Sequence, residues 1–284
     1  MLTVLHVSDF QCGRPFRSAA AEALIHFAAE TSPDMIVASG DLTQRAKDRE
    51  FALAASILDR MPRVPRVVTP GNHDVPLFRV WERVFSPYRN WRRRISAELN
   101  TVTCVPGATF VALNSSAPHR AIVNGRIDAE QVDFARRSFR DAPQADIRAL
   151  VIHHHFVPVH NRKGGEPLPR SRELVADFED MHVDLVLGGH VHQTHLTTSR
   201  DLLGGDGPPG IPLIACGTTT SWRGRGLEEE LNSLNVIRVH ADEIEVVPHL
   251  LASGGSVFEP ADPVVFERRK PSGAPDVSVR EVVR

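Results

Sequence analysis

An α/β fold, with a parallel sheet covered by helices on both faces, is predicted by the order of the apolar segments. Within the first 70 residues, short apolar runs alternate with segments in which apolar residues recur at helical spacing. The chain has 284 residues, enough for one large domain with a substantial core or for two small ones. Hydrophobic residues make up 42% and charged residues 24%, as in an ordinary soluble globular protein.

Three strands and two helices are predicted in this first part of the chain. The strands cover residues 2–7, 35–39 and 64–69, and helices over residues 18–30 and 50–60 connect them. Polar residues follow each strand. In an open α/β sheet such residues lie together along the carboxyl edge, where ligands bind.

Further strands and helices are predicted after residue 100. They are strands at 101–105, 109–113, 149–152, 183–187 and 211–215, a helix whose start is marked by Asp128, a helix at 171–181, and a closing hairpin of 234–239 and 244–250. Beyond residue 252 the chain is rich in proline, glycine and charged residues. We therefore expect one domain over residues 1–252 and an extended or disordered tail over 253–284.

Residues 77–99 form a basic, aromatic segment that interrupts this order, and we interpret it as a cap-like insertion. Its apolar residues are spaced for one helix face, and they are accompanied by six arginines, Arg79, Arg83, Arg89, Arg92, Arg93 and Arg94. One interpretation is a cap whose apolar face packs on the domain and whose arginines are solvated or hold a substrate phosphate. The other is a contact with a membrane surface.

Charge and cysteine content narrow the class of protein. The formal net charge of -2 gives no global reason to expect a nucleic-acid partner. Cys12, Cys104 and Cys216 are far apart, which favours a reducing compartment over a disulfide framework. The first residues lack the basic start and long apolar stretch of a signal peptide. We expect a cytoplasmic enzyme, with peripheral contact to the inner membrane if residues 77–99 bind lipid.

Polar clusters follow five of the predicted strands. They are Asp9 with Gln11, Asp41, Asn72 with His73, His153 to His155, and His190 with His192. A single histidine at a strand end is more often structural, but five such clusters are hard to explain in that way. Carboxylate, amide and imidazole groups together are the ligands of hard or borderline divalent metals.

The motifs in this order resemble those of the calcineurin-like metallophosphoesterase superfamily. They read Asp9-Phe10-Gln11, Gly40-Asp41, Gly71-Asn72-His73-Asp74, His154 and Gly189-His190-Val191-His192. The resemblance covers roughly residues 1–250. It implies a four-layer αββα sandwich that holds two divalent metal ions, manganese or iron with zinc or magnesium as alternatives, and that hydrolyses phosphate esters through a hydroxide bridging the metals.

The resemblance also implies roles for individual residues. Asp41 would bridge both metals, Asp9 and His192 would hold one, and Asn72, His154 and His190 the other. His73 would stabilise the developing charge or protonate the leaving oxygen, with Asp74 orienting it. His155, His160 and Arg223 are candidates for substrate binding.

Two positions leave alternatives open. The family usually has a histidine where this chain has Gln11, so Gln11 either ligates a metal, weakly or with a preference for a harder ion, or only hydrogen-bonds a metal-bound water. Residues in the His153–His155 run alternate sides of an extended strand. Aligning Phe156 with the proline of the family's His-His-Pro pattern selects His154 as the ligand, with His153 as the alternative.

The motifs most closely resemble those of class III cyclic-nucleotide phosphodiesterases. The predicted substrate is therefore a small phosphodiester such as 3',5'-cyclic AMP. One alternative is a lipid-linked phosphodiester or nucleotide-diphosphate lipid, as in a UDP-diacylglucosamine pyrophosphohydrolase. The other is a catalytically weak binding protein with the same fold.

Overall fold

Two mixed β-sheets form the centre of the fold in the computed structural model, which describes residues 1–120, 123–144, 146–159, 166–205 and 209–268. In chain order the strands are β1 (Leu2–Val7), β2 (Met35–Ala38), β3 (Arg66–Val68), β4 (Thr101–Val105), β5 (Ala108–Ala112), β6 (Ile147–Val151), β7 (Leu185–Gly188), β8 (His195–Thr198), β9 (Pro212–Ala215), β10 (Asn232–Val239), β11 (Glu243–Leu251), β12 (Glu259–Pro260) and β13 (Val264–Glu267).

Helices connect and flank these strands. They are α1 (Ser18–Thr31), α2 (Asp48–Arg60), α3 (Val80–Phe85), α4 (Arg89–Arg94), α5 (Ala129–Asp141), α6 (Ser171–Asp180) and α7 (Ser199–Leu203), with short 3-10 turns at Asn72–Asp74 and Gly226–Glu228.

The first sheet contains strands from the two ends of the chain, and the second contains those from its middle. The first sheet runs β12-β11-β10-β1-β2-β3, with β13 paired to β11, and the second runs β4-β5-β6-β7-β9-β8. Strands β1, β2 and β3 are parallel to one another, as are β5, β6, β7 and β9. Strand β10 is antiparallel to β1 and β11, and both edge strands of the second sheet, β4 and β8, are antiparallel to their neighbours. In both sheets, the polar clusters predicted from the sequence follow the carboxyl ends of the parallel strands.

Three apolar clusters give the four layers. Alternate residues of a strand point to opposite faces, so Val4 packs between the sheets while its neighbour Leu5 packs against the outer helices. Phe51 of α2 covers the outer face of the first sheet, and Phe139 and Phe178 of α5 and α6 cover that of the second. Full burial of each such side chain contributes about 1.5–3 kcal/mol. The predicted αββα sandwich is confirmed.

Some elements differ from the sequence prediction. The third strand is only three residues long because Pro65 and Pro70 flank it and proline cannot complete a ladder. The edge strand β8 and helix α7 were not predicted, although Thr198 and Asp201 form a capping box at the start of α7. Strands β12 and β13 continue the first sheet into the segment expected to be an extended or disordered tail, and residues 269–284 of that segment lie outside the described residues.

The insertion at residues 77–99 has two parts with different environments. In α4, Trp91 is fully buried and packs edge-to-face on Phe51, with ring centroids 6.1 Å apart. Arg93 and Arg94 both pair with Asp48 at the start of α2, which fixes α4 on the domain. In α3, by contrast, Trp81 is 78% exposed and Phe85 75% exposed. The cap interpretation therefore fits α4, while the apolar face of α3 is open to solvent.

No helix in the described part of the chain is both long enough and apolar enough to cross a membrane.

Replacing Trp91 by alanine should destabilise the fold by about 3–5 kcal/mol, because it leaves a cavity between α4 and α2. The matched control is Trp81→Ala, which removes the same side chain from an exposed site and should change the free energy of unfolding by no more than about 0.5 kcal/mol. Urea unfolding monitored by circular dichroism measures both. Equal effects of the two substitutions would show that α4 is not part of the core.

Candidate metal centre

Buried polar side chains from both sheets meet at one rim of the sandwich. Asp9 follows β1, Asp41 follows β2, and Asn72 lies in the 3-10 turn after β3. His153 follows β6, and His190 and His192 follow β7. All six are buried. The sheet topology therefore brings together residues that are far apart in the chain, as the position of polar residues after predicted strands indicated.

Several of these residues have left-handed backbones. The φ angles are 51° at Asp9, 48° at Gln11, 52° at Asp41, 71° at His190 and 59° at His192. A non-glycine residue in this region costs about 1–2 kcal/mol, and such strain concentrates at functional sites. The sharp turns direct side chains into the rim immediately after each strand.

Two glycines of the motifs are needed for close approach. A Cβ atom on Gly71 would lie 2.2 Å from Asp41 Oδ1, and one on Gly189 would lie 2.0 Å from Ser8 Oγ and 2.6 Å from Asp9 Oδ2. Any larger residue would displace the carboxylates of the cluster. Glycine is therefore required at these two motif positions for a steric reason.

Asp9, Asp41 and His153 form the tightest group, with one ligand atom from each lying within 4.8 Å of the others. His153 Nδ1 donates a hydrogen bond to the Ser39 carbonyl oxygen at 2.7 Å, so its Nε2 carries a lone pair when the ring is neutral. That Nε2 lies 3.4 Å from Asp41 Oδ1. Two acceptor atoms this close repel each other unless a proton or a cation lies between them.

His192 repeats the same arrangement beside Asp9. Its Nδ1 donates to the Arg223 carbonyl oxygen at 3.1 Å, and its Nε2 lies 3.2 Å from Asp9 Oδ1. Asp9 Oδ1 and His153 Nε2 are buried and make no hydrogen bond to the described residues. Buried polar atoms of this kind are rarely left without a partner. The donor set and its unpartnered atoms therefore fit a divalent cation.

The pKa shifts reflect the same electrostatics. Burial alone would lower the pKa of His153, but the charge and hydrogen bond of Asp41, together with the charge of Asp9, outweigh it and raise that pKa to about 9. Burial keeps the pKa of His190 well below its usual value and also lowers that of His192. Burial would raise the pKa of Asp41, but His153 and His73 hold it well below its usual range. An ionised Asp41 beside neutral His190 and His192 is the protonation state in which these groups ligate metals, and His153 would have to release its proton to join them.

The structure groups His153, rather than the expected His154, with the carboxylates. His153 and His154 lie beyond the end of β6 with their ring centroids 5.0 Å apart, and Phe156 packs in the outer core against Phe178, with ring centroids 5.5 Å apart. The alignment that selected His154 is therefore not reflected in the packing. His154 Nδ1 instead contacts Ser115 Oγ at 2.7 Å, and its ring lies 4.6 Å from that of His190.

Asn72 and His190 form the other side of the cluster. Asn72 Oδ1 lies 3.0 Å from His190 Nδ1, so an amide oxygen and an imidazole nitrogen lie next to each other at the rim. His155 stacks on His190 with ring centroids 5.5 Å apart and is not among the residues that line the cleft over the cluster, so its role in substrate binding stays a prediction. His160, the other loop candidate, lies outside the described residues.

Gln11 presents its nitrogen, not its oxygen, to the cluster. Its Oε1 accepts a hydrogen bond from Arg223 Nη1 at 2.9 Å. Its Nε2 lies 3.4 Å from Asp41 Oδ2 and 3.1 Å from His192 Nε2. An amide NH₂ group is a donor and cannot ligate a cation. This orientation differs from the expectation that Gln11 is a metal ligand.

His73 lies above the cluster with a fixed ring. Its backbone N–H donates to Asp41 Oδ1 at 2.8 Å, and its Nδ1 donates to the Gln44 carbonyl oxygen at 3.0 Å. Its Nε2 lies 3.3 Å from Arg223 Nη1. Sequence reasoning missed Gln44, although it lies in the polar stretch that follows Gly40-Asp41.

Asp74 does not orient His73, as had been expected. Its carboxylate accepts hydrogen bonds from the backbone N–H groups of Leu42, Thr43 and Gly71 at 3.1, 2.8 and 2.9 Å. Burial, together with the nearby charge of Asp41, raises its pKa to about 7. Asp74 therefore ties the turn after β3 to the loop after β2, and the Gln44 carbonyl takes the orienting role.

A cleft of about 700 Å³ opens over these residues. Its lining includes Asp41, Asn72, His73, His190 and His192 of the cluster, the arginines Arg14, Arg45, Arg223 and Arg225, and the apolar residues Val75, Leu77, Phe78 and Val123. Clefts of this size hold small organic ligands. The arginines suit an anion, and the apolar residues suit a substituent attached to it.

Comparison with known proteins agrees with this geometry. The family model described as calcineurin-like phosphoesterase matches residues 2–194, and no curated protein matches the chain. A dimetal phosphatase from Danio rerio superposes with a TM-score of 0.64 at 12% identity, over 94% of this chain and 99% of the other. Purple acid phosphatase from yellow lupin superposes with a TM-score of 0.62 at 12% identity, over 93% of this chain and 53% of the other.

At these identities the structural similarity establishes the fold, and the family match covers well over half of the chain. Members of this family are metal-dependent phosphoester hydrolases with a dinuclear metal centre. The chain therefore belongs to the calcineurin-like phosphoesterase family.

Proposed function

We propose that the protein hydrolyses small phosphodiesters, with 3',5'-cyclic nucleotides such as 3',5'-cyclic AMP as the leading candidates. The observation that carries this proposal is the combination in one cleft of the carboxylate–imidazole cluster, the cationic Arg223 beside His73, and an apolar lining. A diester has one anionic phosphate and two organic substituents. The arginines of the cleft offer positive charge to the phosphate, and its apolar lining offers a surface to at least one of the two organic substituents.

The residues that would hold two metal ions follow from the cluster. Asp41 would be shared, with Asp9 and His192 on one side and Asn72, His153 and His190 on the other. Manganese or iron suits this mixture of oxygen and nitrogen donors, with zinc or magnesium as alternatives. When bound, two such cations polarise the phosphoryl oxygens and lower the pKa of a bound water.

The protein's own side chains would bind and orient the substrate. Arg223 is held at Nη1 by Gln11 and Gln44, at 2.9 and 3.3 Å, so its guanidinium is oriented before the anion arrives. It would bind a non-bridging phosphate oxygen. Because His73 Nδ1 is committed to the Gln44 carbonyl, proton exchange with the substrate takes place at Nε2. A proton held there would be transferred to the leaving oxygen.

A lipid-linked phosphodiester is a second candidate, favoured by one observation. Leu77 and Phe78 line the cleft and also belong to the exposed apolar side of the insertion. A substrate with acyl chains could extend from the cleft along that surface. The further alternative, a binding protein without activity, requires that the cluster hold no catalytic metal.

A substrate panel tests the proposal. With manganese added, the protein should hydrolyse bis(p-nitrophenyl) phosphate and a cyclic nucleotide faster than a phosphomonoester or a nucleotide-diphosphate lipid. Asp41→Asn should reduce all activity to background because it removes the shared carboxylate, whereas Asp141→Asn, at an exposed site far from the cleft, should have no effect. Preference for the lipid would support the second candidate. Absence of hydrolysis with any metal would leave only the binding protein.

His73→Asn should lower kcat by about 10²–10⁴ without changing metal content, because it removes the group that donates a proton. The loss should be larger for a cyclic nucleotide, whose leaving alkoxide needs a proton, than for bis(p-nitrophenyl) phosphate, whose phenolate does not. His26→Asn on the exposed side of α1 is the control. Equal losses with the two substrates would contradict proton donation by His73 and leave charge stabilisation as its role.

Gln11→Ala should leave the affinity for manganese nearly unchanged, because the Gln11 oxygen binds Arg223 rather than the cluster. Gln11→His should tighten the weaker of two manganese sites by roughly tenfold or more, because it adds an imidazole ligand beside Asp9 and His192. Isothermal titration of the metal-free protein and elemental analysis measure both effects without an activity assay. A lost metal ion in Gln11→Ala would show that the amide does ligate.

A further inference from the structure

The exposed side of the insertion carries a run of large apolar side chains that are open to solvent. We call it the α3 surface, and it comprises Leu77, Phe78, Val80, Trp81, Val84 and Phe85, which are 37%, 67%, 51%, 78%, 45% and 75% exposed. Single exposed apolar residues are ordinary, but six within nine consecutive residues are not. A surface of this kind marks a site of interaction.

The aromatic rings of the α3 surface are ordered rather than scattered. Trp81 and Phe85 stack on each other with an interplanar angle of 6° and a centroid distance of 6.0 Å. The guanidinium of Arg45 lies 4.5 Å above the ring of Phe78. The rings thus form an aromatic platform with a cation at its edge.

Positive charge lies on the neighbouring helix α4, whose Asn90 Nδ2 donates a hydrogen bond to Glu82 Oε1 of α3 at 3.3 Å. Residues 77–99 contain six arginines and only two acidic residues, although the whole chain has a net charge of -2. Arg93 and Arg94 share the single carboxylate of Asp48, and Arg79 pairs with Glu82. Arg89 and Arg92 of α4 are exposed, and neither forms an ion pair with a carboxylate among the described residues. Their charge is therefore available to an external anion.

We propose that the α3 surface and the exposed arginines of α4 dock the protein on an anionic phospholipid bilayer. Aromatic rings favour the boundary between headgroups and acyl chains, and arginines favour the lipid phosphates. Charge complementarity favours this occupant over a second copy of the chain. A two-fold contact through the same surface would bring the unpaired arginines of both copies together, which is repulsive.

Docking has a consequence for the cleft, whatever diester is cleaved there. Leu77 and Phe78 belong both to the α3 surface and to the lining of the cleft. A protein bound through this surface holds the cleft rim at the membrane. A substrate in or near the headgroup layer then reaches the metal centre without first diffusing into bulk water.

Vesicle sedimentation tests the proposal with the full chain. The wild type should sediment with vesicles of phosphatidylcholine and phosphatidylglycerol at low salt, much less at high salt, and little with phosphatidylcholine alone. Trp81→Ala with Phe85→Ala should weaken binding at least about tenfold by removing the aromatic platform. Arg89→Gln with Arg92→Gln should weaken it roughly 30-fold by removing two charges near the lipid phosphates.

Matched controls come from exposed residues elsewhere. Leu227→Ala removes an apolar side chain that is 99% exposed, and Arg140→Gln removes an arginine that is 69% exposed, both outside the α3 surface. Both should bind like the wild type. Because Trp81, Phe85, Arg89 and Arg92 are exposed, the variants should keep the wild-type circular dichroism spectrum and unfolding curve. Binding of the wild type should also shift the fluorescence of Trp81 to the blue, and Trp81→Phe should abolish the shift.

Three results would overturn the proposal. They are failure of the wild type to bind anionic vesicles at low salt, equal binding to neutral vesicles, and binding unaffected by both double substitutions. A dimer detected by light scattering and abolished by Trp81→Ala with Phe85→Ala would instead assign the surface to contact between copies. None of these measurements depends on hydrolysis, so the outcome is separate from that of the proposed function.

Discussion

The contacts of the Asp41 carboxylate hold the rim of the sandwich together. Asp41 Oδ1 accepts the backbone N–H of His73 at 2.8 Å and lies 3.4 Å from His153 Nε2, so one buried group contacts the ends of strands from both sheets. Its own backbone is left-handed, and Gly71 approaches it closely enough to exclude any side chain. A buried carboxylate is unfavourable unless it is paired, and here positive charge must supply the pairing. Fold and chemistry thus depend on the same atom.

The two sheets make this meeting possible because their parallel strands end at a common rim. The core between them is filled by apolar residues, and the polar residues that form the cluster lie at the strand ends and in the loops beyond. Around the cluster, backbone carbonyls hold the rings: Ser39 for His153, Arg223 for His192 and Gln44 for His73. Each fixes Nδ1 as the donor and directs Nε2 toward the cluster or the cleft. The positions of the rings are therefore set by main chain, which few side-chain substitutions would alter.

Much of this was predictable from the sequence, and the exceptions have physical causes. Apolar runs ending in polar residues predicted the strands and the convergence of Asp9, Asp41, Asn72 and the histidines. Within the His153–His155 run, alternation fixes only which residues share a side of an extended strand, and these residues lie beyond the end of β6, so the sequence could not decide which histidine lies with the carboxylates. The roles of Asp74 and Gln44 could not be inferred, because they depend on hydrogen bonds to backbone groups of another loop. Composition also could not show that Trp91 is buried while Trp81 is exposed.

The exchange of a histidine for Gln11 changes two properties of the site in opposite directions. Gln11 adds no ligand in its observed orientation, and it shares with Gln44 the holding of the Arg223 guanidinium next to the cluster, so that Gln44 keeps this charge in place when Gln11 is replaced. A fixed cation close to a metal position disfavours the metal ion, since two like charges about 4 Å apart repel by roughly 4 kcal/mol at the effective dielectric near a protein surface. The same charge favours an anionic phosphate. If Arg223 contacts the substrate phosphate as proposed, the negative charge of the substrate would screen Arg223 from the metal, and loading of the weaker metal position should then be coupled to the arrival of substrate.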